Sequence, residues 1–194
     1  MSMVAIKVSC IMLPQLTHAC RLEHHLIEPV DGRLVRGLRH EQLKEQAAII
    51  KSTSIKSIVV IGINSPSNPK QELEAESFLV AELGPGYDVS CSHKIGRLGF
   101  LERENASILN ASLRRFAHHV IAGFKFAVQR LGKCSLYITL NDGTLSKASE
   151  AAEYPIGCFS SGPTNSARGA ALLAGSLSQD EADDREVLVV DVGG

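Results

Sequence analysis

Apolar and polar positions follow two different periods along the chain, and the switches between them outline its elements. From His40 to Lys51 the apolar residues Leu43, Ala47 and Ile50 fall three or four apart, the spacing of one helix face. Ser57 to Ile63 is a nearly unbroken apolar run, which fits a strand buried on both faces as in a parallel sheet. Asn64-Ser-Pro-Ser-Asn-Pro69 reads as a turn, with Asn68 capping a helix, Pro69 at its first position and Gln71 reaching back as in a capping box. That helix is expected to run to Leu83, where Gly84-Pro85-Gly86 stops it. A strand from Tyr87 to Ser92 completes a strand-helix-strand unit, so the fold class expected is α/β with mostly parallel strands.

The second half carries the longest helical signal. From about Glu104 to Leu131 the residues Leu109, Leu113, Phe116, Val120, Phe124, Val128 and Leu131 recur at helical spacing, giving an amphipathic helix of roughly 40 Å. It is either a core helix or one that runs along a domain boundary. Ser135 to Leu140 is the next expected strand and delivers Asn141-Asp-Gly-Thr144 to a tight turn. Pro155 to Ser160 reads as a further short strand leading into a helix that opens near Thr164 or Asn165. The acidic stretch from Ser178 to Glu186 is a solvated loop, and Val187 to Asp191 reads as a buried strand. No internal repeat is visible.

Composition narrows the function classes. The 194 residues carry 20 Lys and Arg against 21 Asp and Glu, a formal net charge of -1, which leaves no electrostatic footprint for nucleic acid or an anionic membrane. Five Cys without C-x-x-C spacing indicate neither a disulfide framework nor a zinc ribbon. His18, Cys20, His24 and His25 invite a metal reading, yet only Cys20 and His24 stand four apart, and an ordinary surface cluster is the plainer reading. Pro14 interrupts the apolar run from Val8 to Leu13, so no secretory signal is expected, and no stretch approaches the roughly 18 to 20 apolar residues of a membrane span. A cytoplasmic setting is the expectation.

Candidate chemistry gathers at loops that follow strands. Asp191-Val-Gly-Gly194 places a carboxylate at a strand end, where α/β sheets bind ligands, followed by glycines that let backbone N–H groups approach phosphate oxygens. Asp191 would hold Mg2+ there; a strand with a glycine turn is the plainer reading. Ser161, Gly162, Thr164 and Asn165 open a helix whose N-terminus suits an anion, with Arg168 one turn on, though ordinary capping explains the same residues. Asn141, Asp142 and Gly143 face a ligand cleft on one reading and only make a tight turn on the other. Glu102 and Glu104 flank the long helix's start, where acidic groups favour the dipole. Asn105-Ala-Ser107 and Asn110-Ala-Ser112 match the glycosylation pattern by coincidence in a helical setting.

Four segments in order carry a resemblance: Leu98 to Leu113, Leu136 to Leu145, Phe159 to Ala171 and Val189 to Gly194. Together they resemble the hydantoinase A / 5-oxoprolinase family, in particular its N-methylhydantoinase-like members, over about residues 30 to 194. The resemblance implies a partial two-lobed fold of the actin-like ATPase and sugar-kinase type with one long central helix. It also implies ATP and Mg2+ as cofactors and ring opening of a small cyclic amide such as a hydantoin or 5-oxoproline. In that family a D-x-G-G-T sequence begins each lobe and grips phosphates; Asp191, Gly193 and Gly194 match the second copy, and no D-x-G-G stands upstream. Residues 1–29 are therefore unassigned, 30–101 are expected to end the N-terminal lobe, and 102–194 to open the second, cut after its D-x-G-G. The expectation is a fragment inactive alone. Its alternatives are a non-catalytic α/β module that needs a partner subunit or self-association, and a sugar-kinase-like phosphotransferase.

Overall fold

The structure, a computed structural model, describes residues 3–7, 20–21, 37–132, 134–174 and 188–192. The chain divides into two compact units, Met1–Leu113 and Arg114–Gly194.

The first unit is built on a parallel sheet. Its strands are β1 (Met3–Lys7), β2 (Cys20–Arg21), β3 (Ser57–Ile61) and β4 (Asp88–Cys91), in the order β2-β1-β3-β4. Every pairing is parallel, with Val59 opposite Ala5 on one side and Ser90 on the other. β3 is buried along its whole length, as its unbroken apolar run requires.

The two faces of β3 serve two layers, because successive side chains on a strand point to opposite sides. Ile58 and Val60 pack with Leu43, Ala47 and Ile50 of α1 (His40–Lys51) and with Ala75, Leu79 and Leu83 of α2 (Lys70–Leu83). Val59 and Ile61 meet Ala111, Phe100 and Ile108 of α3 (Phe100–Gln129) on the other side. The result is a helix-sheet-helix sandwich joined by the β3-α2-β4 crossover.

Local chemistry sets the boundaries, and some differ from expectation. α2 begins at Lys70, with Pro69 in the capping place, so Asn68 stands one residue too early for a capping box; its Oδ1 accepts from the Lys70 N–H at 3.4 Å. β4 ends at Cys91, and Ser92–Lys94 form a 3-10 turn. α3 starts four residues ahead of the expected Glu104, because Arg103 already bonds back from its N–H to the Gly99 carbonyl.

The apolar stripe expected along α3 is not its buried face among the described residues. Leu109, Phe116, Phe124 and Leu131 are exposed, whereas Arg103, Glu104, Ser107, Asn110 and Ala111 are buried. Small and hydrogen-bonded polar side chains therefore take the sheet-facing side in the first unit. Burial of Asn110 also removes it as a glycosylation acceptor.

In the second unit the latter part of α3 is followed by an antiparallel hairpin of β5 (Tyr137–Thr139) and β6 (Leu145–Lys147), then α4 (Ala148–Glu153) and α5 (Ser161–Leu173). Its core is Ile121 with Ala148, Ala151 and Ala152, joined by Leu136, Ile138 and Cys158. Pro155 to Ser160 is not a strand: Pro155 starts a 3-10 turn through Gly157, and its carbonyl accepts from Cys158 and Phe159. Leu188 to Asp191, the described part of the run from Val187, is not a buried strand either. Residues 188–192 are irregular, with Leu188, Val190 and Val192 exposed, and no described strand pairs with them to satisfy a ladder. Gly193 and Gly194, the acidic stretch 178–186, His18, His24 and His25 lie outside the described residues, and Cys20 is described only as backbone of β2. No helix among the described residues is long and apolar enough to cross a membrane.

Candidate functional site

Two polar constellations emerge, one in each unit. The first was expected in pieces. The hairpin turn after β5 and the start of α5 are drawn together around Asn141. Its Oδ1 accepts from the Ser160 N–H at 3.0 Å, its amide nitrogen donates to the Ile156 carbonyl at 2.9 Å, and its carbonyl accepts from the Thr164 hydroxyl at 2.6 Å. Arg168 reaches back from the second turn of α5 and donates from its guanidinium to the Gly143 carbonyl at 2.9 Å. Gly143 holds a φ of 80°, and a Cβ there would meet that guanidinium, so both the turn and the arginine's approach require glycine.

Asp142 is exposed, and its carboxylate accepts from the Thr144 hydroxyl at 2.6 Å and the Thr144 N–H at 2.9 Å. These bonds, the hydroxyl's first, hold its carboxyl below the usual carboxylate range, and Arg168 adds a smaller pull in the same direction. α5 begins at Ser161 rather than at Thr164 or Asn165, without a side-chain cap, and the preceding Ser160 gives its N–H to Asn141. Ser161 and Thr164 are half-buried, while Gly162 and Asn165 are exposed. Asp191 is exposed, and the bonds that knit the two loops do not include it.

The second constellation lies in the first unit, at the carboxyl ends of β3 and β4, where parallel sheets place ligands. Glu72 of α2 is fully buried. Its Oε1 accepts from the Gly62 N–H and from the Ser92 hydroxyl, both at 2.6 Å. Its Oε2 accepts from the His93 N–H at 3.0 Å and lies 2.6 Å from His93 Nδ1.

Arg103 of α3, 1% exposed, supplies the opposite charge. Its Nε donates to the Ser92 Oγ at 3.0 Å, one terminal nitrogen to the Arg97 carbonyl at 2.7 Å, and the other to the carbonyls of Gly62 and, at 2.8 Å, Ile63. Burial lowers the guanidinium's pKa, and Glu72 offsets part of that shift. Gly96 passes so close over Arg103 that a Cβ would lie 3.1 Å from the Arg103 Cβ.

Cys91 brings a thiol to the same cluster, so that Glu72, Cys91 and His93 hold potential metal-ligating atoms within 4.8 Å of one another. Burial, then Glu76 and Glu72, push that thiol far above its ordinary range, and Sγ donates to the Glu72 carbonyl at 3.5 Å. Sequence reasoning missed this network, although a signal was present: Glu72 occupies the apolar face of α2 in register with Ala75, Leu79 and Leu83. A charged residue on a buried stripe announces an internal partner.

Comparison with known proteins is consistent with the order of the segments. A model of the hydantoinase/oxoprolinase family matches residues 103–194, and a model of the hydantoinase/oxoprolinase N-terminal region matches residues 11–83. A nucleotide-free structure of acetone carboxylase, solved to address the mechanism of ATP-dependent acetone carboxylation, is similar to this chain with a TM-score of 0.62 and 22% identity. The similarity covers 75% of this chain and 21% of that one, so the chain spans about a fifth of the length of that structure. No curated protein matches the sequence.

Proposed function

This chain belongs to the hydantoinase/oxoprolinase family, and from that premise we propose that it is part of an ATP-dependent cyclic amidohydrolase that opens a hydantoin or 5-oxoproline ring. On this reading residues 30–101 end an N-terminal lobe and 102–194 open a second lobe, in a two-lobed fold of the actin-like ATPase type. Turnover belongs to a longer protein, in keeping with a chain that spans about a fifth of its solved neighbour. The observation that carries the reading is the knitting of Asn141–Thr144 to the start of α5, because two loops that the sequence makes candidates for ligand binding form one cluster.

The donor set there suits a nucleotide with its metal. The exposed Asp142 carboxylate is kept ionised by Thr144 and offers hard oxygens to Mg2+. Arg168 is fixed at one nitrogen by the Gly143 carbonyl and keeps further N–H donors for phosphate oxygens. Ser161, Gly162, Thr164 and Asn165 lie in the first turn or so of α5, where the helix dipole favours an anion. Asp191, Gly193 and Gly194 join this site on the strength of the resemblance. When bound, MgATP supplies the phosphoryl group that activates the ring amide for attack by water.

A thermal melt of the chain with and without MgATP tests the site. The melting temperature is expected to rise with MgATP, by an amount equivalent to about 2.7 kcal/mol at a hundredfold excess over Kd, and to stay unmoved in Asp142→Ala and Asp191→Ala. An unshifted wild-type melt overturns the nucleotide reading. Ring-opened product formed by this chain alone, and lost in Asp191→Ala, overturns the assignment of turnover to a longer protein.

A further inference from the structure

We propose that His93 is a tautomer-locked base: Glu72 holds its Nδ1–H, leaving Nε2 as the lone pair that accepts a proton from water or from the N–H of a polar ligand. The site lies wholly within the first unit and does not depend on the nucleotide reading.

Glu72 has no freedom to act as anything but an acceptor. Its two oxygens receive the Gly62 N–H, the Ser92 hydroxyl and the His93 N–H, so each of these partners is a donor to the carboxyl. An acceptor 2.6 Å from Nδ1 demands a proton on Nδ1. The neutral imidazole has one N–H, so Nε2 is bare. The same Oε2 also takes the His93 backbone N–H, which fixes the ring at two points.

His93 is more than a donor to a hungry carboxylate. Three other donors already serve Glu72, and Arg103, linked through the shared Ser92 hydroxyl, answers its charge. The His93 side chain keeps 16% of its surface exposed while Glu72 keeps none. The imidazole therefore reaches solvent while the carboxylate that holds its Nδ1 does not. When Nε2 takes a proton, the donor's O–H or N–H bond breaks, an Nε2–H bond forms, and the imidazolium faces Glu72 as its counter-charge. This is the arrangement in which a carboxylate sets the tautomer of a catalytic base.

Metal ligation by Glu72, Cys91 and His93 is the competing use of the same atoms. It requires an ionised thiol, which burial and the neighbouring carboxylates oppose.

Nitrogen-15 NMR of the full 194-residue chain, with histidine assignments, reads the tautomer directly. The neutral His93 is expected to show a protonated Nδ1 and an unprotonated Nε2, and Glu72→Gln is expected to shift the population towards the Nε2–H form. Diethyl pyrocarbonate, followed by mass mapping, reads the lone pair. Acylation of His93 is expected in the wild type and about tenfold slower in Glu72→Gln, because a protonated Nε2 cannot attack. Should Glu72→Gln fail to fold, the wild-type spectrum still decides. An Nε2–H tautomer, an unreactive His93, or Zn2+ bound stoichiometrically and lost in Cys91→Ala overturns the proposal.

Discussion

Replacing Arg103 by Met removes the positive member of a buried charge network, linked to Glu72 through the Ser92 hydroxyl, while keeping most of the side chain's volume. In the first unit it deletes the donors to Ser92 Oγ, Arg97, Gly62 and Ile63, and it leaves Glu72 buried without its counter-charge. Charge-assisted bonds at about 1.5 to 3 kcal/mol each would sum past 6 kcal/mol. That sum overcounts, since neighbours and water relax around the gap, and removal of one member of a buried pair costs about 3 to 5 kcal/mol. With a urea dependence of about 2 kcal/mol/M, the midpoint for the first unit should fall by about 2 M. Native-state hydrogen exchange at the Val59 and Val60 amides reports this unit separately from the second, because both lie in the fully buried β3.

Two companion variants separate charge from shape. Arg103→Lys keeps the charge but not the fork, so it should lose less than Arg103→Met, about 1 to 2 kcal/mol. Adding Glu72→Leu to Arg103→Met should recover part of the loss, because both buried charges then leave together. The reasoning is refuted if Arg103→Met moves the midpoint by less than about 0.5 M, or if the double variant is worse than the sum of the singles.

Leu79 is fully buried between α2 and the sheet, so Leu79→Ala should cost about 3 kcal/mol in the first unit, measured by the same exchange; a cost below about 1 kcal/mol would contradict the packing described. The Asp142 carboxyl has its pKa depressed in the folded chain, so its contribution to stability is present above its unfolded pKa and fades as pH falls through the folded value. Melts taken from pH 6 downward should show Asp142→Asn losing part of that acid-limb dependence, and an acid limb identical to wild type would show that the Thr144 bonds do not hold in solution.

The sequence by itself determined the elements that one face of apolar residues defines. The helices around Leu43, Ala47 and Ile50 and around Ala75, Leu79 and Leu83 lie where spacing put them, as does the buried β3, because burial of a contiguous stripe or run leaves little choice of period. It also made the loop after β5 and the start of α5 candidates, and the family segments were legible in order.

What it could not settle depends on contacts between residues far apart. The stripe along α3 leaves open whether that face meets a core or a domain boundary; in the structure Phe116 and Phe124 are exposed and the sheet-facing side holds Arg103, Ser107 and Asn110. Periodicity reports which residues share a face, not which face meets the sheet. The Val187 run carries strand chemistry, but a strand exists only through a partner's backbone, and no described strand supplies one for 188–192. Glu72 and Arg103 are 31 positions apart in the sequence, and the charge on the apolar stripe of α2 announces a partner without naming it. Only the crossover that brings α2, the ends of β3 and β4 and the first turns of α3 together makes them one network. A buried charge is stable only with its partner, and tertiary structure alone decides which residue that partner is.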